Sequence, residues 1–124
     1  MKEVEDFIVN GYKTYIPHVS IDCAIFGYHD HRLKILLSQI EGLNGFCLPG
    51  GYIKRIETLD AAANRIVEER TSLTGLYLQQ YKSFGNPDRI KWIEADVDKL
   101  SKIPAFKQLK SSWLRDQTIS IGYY

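Results

Sequence analysis

The sequence predicts an α/β sandwich, a mixed β-sheet with helices packed on it. Three observations carry this. Apolar and polar residues alternate from Val19 to Tyr28 and again from Thr118 to Tyr124, the period of a half-buried strand. Leu59, Ala62, Ala63, Ile66 and Val67 fall at i, i+3, i+4, i+7 and i+8, one apolar stripe along a helix. Between these segments, Phe46-Cys47-Leu48 runs through Pro49-Gly50-Gly51 toward that helix, in the order strand, glycine-rich loop, helix. A mixed strand order leaves both faces of the sheet for helices to cover.

Length and composition set the bounds. The chain has 124 residues and a mass of 14.3 kDa, which is enough for one domain, 1–124. A chain of this size buries roughly two-thirds of its unfolded surface without needing disulfide or metal staples. Hydrophobic residues make up 44% and charged residues 25%, which excludes an intrinsically disordered chain. Sixteen basic against fifteen acidic residues give a net charge of +1, so global charge points to neither nucleic acid nor an acidic substrate. No apolar run reaches the ~18 residues of a membrane helix, so no membrane partner is expected. Met1-Lys2-Glu3-Val4-Glu5-Asp6 is too acidic for an export signal. With only Cys23 and Cys47, the expectation is a cytoplasmic protein whose two thiols are reduced, unligated core residues.

Taken in order, residues 3–17 form a short helix or irregular lead-in ending at Pro17. The first strand, Val19 to Tyr28, is joined to a second, Leu33 to Ser38, by the polar turn His29-Asp30-His31-Arg32, a hairpin with a loop of about four residues. The His-x-His pair has no third ligand nearby and reads as a solvated turn. Residues 39–45 are loop, and 46–48 a short apolar strand that Tyr52-Ile53 continues. Thr58 suits the N-cap of the helix from Leu59 to about Arg70. Leu76 to Phe84 reads as an aromatic-rich strand, Gly85-Asn86-Pro87-Asp88 as a turn, and 96–114 as helical with an interruption at Pro104. A chain that stops on the apolar strand 118–124 suggests a piece of a longer protein. It also predicts an exposed strand edge that seeks a partner, with a homodimer as the expected state.

One constellation carries chemistry. Gly51, Glu57, Arg65 and Glu69 stand at the spacing Gly-x5-Glu-x7-Arg-x-Val-x-Glu, followed by Thr71 and Leu73. Together with the Pro-Gly-Gly turn and the striped helix, this resembles the Nudix box, Gly-x5-Glu-x7-Arg-Glu-aliphatic-x-Glu-Glu-x-Gly-aliphatic. The likeness extends to Val-Ser-Ile-Asp-Cys-Ala-Ile-Phe-Gly at 19–27, Leu-Lys-Ile-Leu-Leu at 33–37, Thr71, the stretch 77–85, and Ile-Ser-Ile-Gly-Tyr-Tyr at 119–124. These segments are similar to one branch, the Nudix-related transcriptional regulators of NAD and sugar metabolism. The resemblance implies a Nudix-type α/β/α sandwich that senses a ligand, with a winged-helix DNA-binding domain beyond residue 124. Residues 90–114 have no counterpart in that pattern and are taken as an insertion.

The box departs from the pattern where metal chemistry needs it most. In an active member, carboxylates at helix positions i, i+3 and i+4 share one face and hold Mg²⁺ or Mn²⁺ against a substrate diphosphate. Here those positions are Ile66, Glu69 and Arg70, so three negative charges become no net charge. Ser72 replaces the box glycine, and Gln39-Ile40 stands where relatives often carry a basic residue. The degenerate box is therefore Gly51, Glu57, Arg65, Ile66, Glu69 and Arg70, with no metal and no catalytic residue expected.

Each of these residues has a plainer reading. Ile66 fits the core stripe, Arg70 fits a surface pair with Glu69 or Asp60, and Glu57–Arg65 fits a brace between loop and helix. The sharper reading makes Arg70 a fixed cation in the vacated metal position. The ligand-binding set is then Arg70, Glu69, Gly50 and Gly51, with Lys54 and Arg55 as further anion contacts. Residues 99–115 add a local basic stretch, Lys99, Lys102, Lys107, Lys110 and Arg115. It is balanced by Glu94, Asp96 and Asp98, touches DNA phosphate or a partner, or caps the pocket.

Three functions follow. The first is a non-catalytic sensor of an ADP-ribose-like nucleotide, a sugar or a sugar phosphate in a bacterial regulator, without cofactor, reaching DNA only through a domain outside this chain. The second is a Nudix hydrolase acting on a nucleoside diphosphate linked to another moiety. It would need Mg²⁺ or Mn²⁺ and a rebuilt carboxylate set of Glu57 and Glu69 with Glu94 or Asp96. The third is a scaffold acting through dimerisation.

Overall fold

Helix α1 (Lys2–Thr14) opens the chain, with Glu3 and Glu5 in its first turn and Lys13 in its last, charges that suit the helix dipole. The computed structural model describes residues 2–39, 45–88 and 94–124. Strands β1 (Tyr15–Cys23), β2 (Phe26–His29), β3 (Arg32–Ile35) and β4 (Gly50–Lys54) precede α2 (Leu59–Thr71). Then come β5 (Gln80–Phe84), α3 (Glu94–Ser101), three 3-10 turns at Pro104–Phe106, Leu109–Ser111 and Trp113–Arg115, and β6 (Ile119–Tyr123). The main sheet has the order β4-β1-β6-β5, while β2 and β3 form a separate hairpin. Strand β1 runs antiparallel to β4 and parallel to β6, and β5 runs antiparallel to β6, so the sheet is mixed as expected.

The two faces of the sheet are covered differently. Ile21 and Cys23 of β1, Ile53 of β4 and Tyr123 of β6 are buried against Ala62, Ala63, Ile66 and Val67 of α2. Removing each of the larger aliphatic side chains from water contributes about 1.5–3 kcal/mol. Tyr52, one residue before Ile53, points to the opposite face. There it meets Trp113 at 4.8 Å and Phe7 of α1 at 6.2 Å between ring centroids. Thr58 caps α2 as expected, its hydroxyl accepting the Ala61 amide at 3.1 Å.

Several expectations need correction. The alternation at 19–28 spans two strands, because Ala24 and Ile25 leave the main sheet and Phe26 begins the hairpin. Periodicity continues across that break and cannot reveal it. The hairpin loop is a two-residue turn in which Asp30 and His31 adopt φ of 52° and 60°, the left-handed pair that matches strand twist. Strand β3 ends at Ile35, and 46–48 contributes only a bridge between Cys47 and Ser38. Cys47 is exposed, so only Cys23 is a core thiol. Leu59 is also half exposed, and the buried stripe of α2 starts at Ala62. Leu76 and Leu78 pack on the core ahead of the strand, which starts only at Gln80.

The segment after α3 does not resume a helix. Pro104 starts a 3-10 turn, and Ser112 spends its hydroxyl on the Ile8 carbonyl of α1 at 2.7 Å. The stretch 94–115 docks on α1 around its own small core of Val97, Leu100 and Leu109. The remainder of the expected insertion, 90–93, lies outside the described residues, as do Ile40, Gly42 and Asn44 of the 39–45 loop. Finally, β6 is not an edge. It lies between β1 and β5 with Tyr123 buried, so the expected apolar edge at 118–124 is already paired within the chain.

Candidate ligand-binding cleft

The turn between β4 and α2 is built around one carboxylate. Ile56 adopts φ 71°. The chain thereby folds back so that Glu57 Oε1 accepts the Lys54 amide at 2.9 Å. From α2, Arg65 Nε donates to Glu57 Oε2 at 2.7 Å and its Nη2 to Glu57 Oε1 at 2.9 Å, a two-pronged bond. The same guanidinium reaches the Tyr52 carbonyl at 2.7 Å and Glu69 Oε2 at 3.1 Å. The hydrogen bonds and charge of Arg65 hold the Glu57 carboxyl below its usual range, and Glu57 in turn raises Arg65. The brace expected between loop and helix is therefore present, and it engages both box glutamates.

The remaining box positions follow from α2. Ile66 is 1% exposed and belongs to the core. It lies beneath Gly51, where an added Cβ would sit 3.2 Å from the Ile66 side chain, so the glycine lets strand and helix approach. Ser72 ends α2 at φ 63° and donates its amide to the Glu68 carbonyl. This is the left-handed C-cap that glycine adopts without strain, which explains why a glycine suits this box position.

Arg70, one turn past Ile66, turns back over the sheet. Its Nε donates to the Gly50 carbonyl at 3.0 Å rather than pairing with Glu69 or Asp60. Asp60 instead accepts the Tyr123 hydroxyl at 2.7 Å; burial and that bond push the Tyr123 phenol up to about 12. Beside Arg70 opens a cleft of about 390 Å³ lined by Asp22, Ser38, Gln39, Cys47, Leu48, Gly50 and Arg70. That volume is in the range of small-molecule sites.

Of the residues expected to bind ligand, the structure brings Arg70 and Gly50 to this cleft. Gly51 supports its floor from the core side, and Glu69 is tied to Arg65. Lys54 and Arg55 lie elsewhere: Arg55 donates to the Tyr12 and Lys13 carbonyls at 2.9 and 3.2 Å, closing the C-terminal end of α1. Nor does the described part of the insertion, 94–114, cap the cleft, because it packs on α1, and Lys110 pairs with Asp98 at 2.7 Å. The sequence reading missed Asp22, Ser38 and Cys47. Asp22 could have been found from its flanks: Ile21 and Cys23 face the core, so the acid between them must face the cleft.

These donors do not suit a hard divalent cation. One of the three metal-ligand positions is buried hydrocarbon, one is a guanidinium, and the third carboxylate is in an ion pair. Among the described residues, no group of three His, Cys, Asp or Glu side chains has the geometry to hold a metal ion.

The two thiols differ in a way that can be measured. Burial, reinforced by the Asp22 charge, pushes Cys23 up to about 11, whereas Cys47 is exposed in the cleft. A thiol reagent at neutral pH should therefore label one cysteine per chain quickly, and Cys47→Ser should abolish that phase. Rapid labelling of both thiols in folded protein would contradict the burial of Cys23.

Comparison with known proteins places this geometry. No protein-family model matches the chain. The ADPR responsive transcriptional repressor NtrR of Acinetobacter baylyi is 35% identical over 78 residues, 59% of this chain and 31% of that protein. The chain therefore spans about a third of that relative's length. The Nudix domain of Shewanella oneidensis NrtR, solved with ADP-ribose, superposes with a TM-score of 0.59 at 24% identity, covering 99% of this chain and 69% of that one. Shewanella oneidensis NrtR solved with a 27mer DNA gives a TM-score of 0.56 at 25% identity, covering 85% of this chain and 40% of that one. The strand–glycine loop–helix unit, its Glu57–Arg65 brace and these likenesses together show a Nudix-type fold, similar to the Nudix domain of these regulators.

Proposed function

We propose that this domain is a non-catalytic sensor of an ADP-ribose-like nucleotide, acting in a bacterial transcriptional regulator. The observation that supports it most is Arg70, anchored to the Gly50 carbonyl at the cleft while Ile66 lies in the core. A guanidinium there offers a diphosphate the positive charge that a metal ion supplies in a hydrolase, without activating water. The relatives' names agree with this: one is an ADPR responsive repressor, and the Nudix domain of another was solved with ADP-ribose. No described helix is long and apolar enough to cross a membrane. In this reading the protein works in the cytoplasm as a homodimer, with neither metal nor cofactor. It contacts DNA through a separate winged-helix domain, as befits similarity to a protein solved with a 27mer DNA.

The test is calorimetry with ADP-ribose in Mg²⁺ and again in chelator, alongside an assay for hydrolysis. Binding of equal affinity in both buffers, weakened about tenfold by Arg70→Gln, is the expected result. Turnover near 1 s⁻¹ or above that needs Mg²⁺ or Mn²⁺ and is lost in Glu69→Gln would instead establish the hydrolase.

A further inference from the structure

We propose that the β2–β3 hairpin is the contact through which two copies of this chain pair, apolar face against apolar face. This rests on the sensor reading only in giving its homodimer a place, and it needs no ligand.

Strand pairing sorts the side chains of the hairpin by face. Phe26 stands opposite Ile35 and Tyr28 opposite Leu33, while Gly27 pairs with Lys34 and His29 with Arg32. Directly opposed residues point the same way, and the direction alternates along each strand. One face is therefore Phe26, Tyr28, Leu33 and Ile35, aromatic and aliphatic throughout. The other is Gly27, His29, Arg32 and Lys34. No described element covers the apolar face: Tyr28 and Leu33 are 72% and 71% exposed, Phe26 and Ile35 52% and 42%. The hairpin is a sheet of its own, separate from β4-β1-β6-β5. A two-stranded hairpin is marginal in water unless its apolar side is covered. The surface that seeks a partner, expected at 118–124, lies here instead.

Area and charge favour a second copy as the cover. Given the usual area of aromatic side chains, the four residues present roughly 450 Å². Leu36 and Leu73, both exposed, extend this surface around a cavity of about 370 Å³ at the base of the hairpin. A two-fold pairing therefore buries about 1,000 Å² in total, the size that a specific interface needs. Such a contact presents the same patch twice, so a charge within it would meet its own copy. The apolar face avoids this, because Arg32 and Lys34, the charged residues of the two strands, lie on the far face. By contrast, β5, at the end of the main sheet, carries Lys82 and an irregular register, which discourage strand addition.

The experiment is sedimentation equilibrium on the unmodified chain, Leu33→Asp, Tyr28→Ser and Lys34→Gln. The unmodified chain should dimerise with a Kd of about 10 µM, in keeping with a contact of this modest size. Leu33→Asp puts an unpaired charge into the contact twice, once per copy, and should weaken dimerisation at least about a hundredfold. Tyr28→Ser should weaken it about tenfold or more, and Lys34→Gln on the far face should leave it unchanged. Melting points at low concentration should stay close together, because the replaced side chains are exposed in the single chain. That readout separates a lost contact from a lost fold. A chain that stays monomeric well above the expected Kd would overturn the proposal and leave this face to a different partner. If that monomer still binds ADP-ribose, the homodimer falls and the sensor reading stands. A dimer that neither Leu33→Asp nor Tyr28→Ser weakens would overturn the proposal too, placing the homodimer contact elsewhere.

Discussion

Replacing Arg65 with Ala should lower stability by about 3 kcal/mol, a fall in Tm of roughly 10 °C for a domain of this size. Arg65 and Glu57 side chains are only 17% and 15% exposed, so the pair is largely withdrawn from water. Removing the guanidinium strands the Glu57 carboxylate against the Lys54 amide, takes one hydrogen bond from the Tyr52 carbonyl and releases Glu69 from Arg65. Arg65→Lys should recover only part of the loss, because an ammonium cannot make the two parallel bonds. The pH dependence has a definite sign. The folded state holds Glu57 below its usual range, so the pair's contribution is present above the ordinary glutamate value of about 4.3 and is lost as pH falls through the folded value. Thermal melts should therefore show the gap between wild type and Arg65→Ala narrowing below about pH 4. A melting point unmoved at pH 7 would mean that the brace contributes nothing, and a gap that stays constant into acid would mean that its contribution does not depend on the Glu57 charge.

That brace was legible in the sequence because its parts sit close together: a loop acid, an arginine two helical turns into a capped helix, and a glycine-rich entry. The α2 stripe was legible for the same reason, since Ala62, Ala63, Ile66 and Val67 all face the core. What stayed hidden depends on contacts distant in sequence. Arg55 reads as a loop cation free to bind an anion, yet it reaches carbonyls at the end of α1, more than forty residues away. Asp22 reads as the solvent-facing member of an alternating strand. Only the parallel pairing of β1 with β6, which sets Ser120 beside it, shows that this face forms a cleft. The position of β6 inside the sheet is equally invisible in its own residues, because an apolar terminal strand looks the same whether it has one neighbour or two. The 104–115 turns failed as a helix because Ser112 gives its hydroxyl to another element, and periodicity carries no trace of that competition.

Restoring the box carboxylates should break the fold rather than create a hydrolase. From sequence, Ile66→Glu with Arg70→Glu returns three acids to one helix face. The structure makes that exchange unequal. Arg70 stands exposed at the cleft, where a glutamate is tolerated at the loss of the Gly50 bond. Ile66 lies in the core with Ile21, Cys23, Ile53 and Tyr123, and its side chain fills the space left by the missing Cβ of Gly51. A glutamate there must either carry a charge among hydrocarbon or bury a protonated carboxyl without a partner, and both leave a cavity mismatch. The expected cost is on the order of 5 kcal/mol, comparable to the whole stability of many domains of this length. Ile66→Glu alone should therefore give a chain largely unfolded at 25 °C by circular dichroism. Arg70→Glu alone should stay folded and lose affinity for ADP-ribose. The double variant should resemble the first, not the second, and added Mg²⁺ should not refold it, since a metal bound at the surface cannot reach a side chain beneath Gly51. A double variant that is folded, gains stability from Mg²⁺ through RT ln(1 + [Mg²⁺]/Kd) and turns over ADP-ribose would place Ile66 at the cleft surface and reverse the assignment of this helix face.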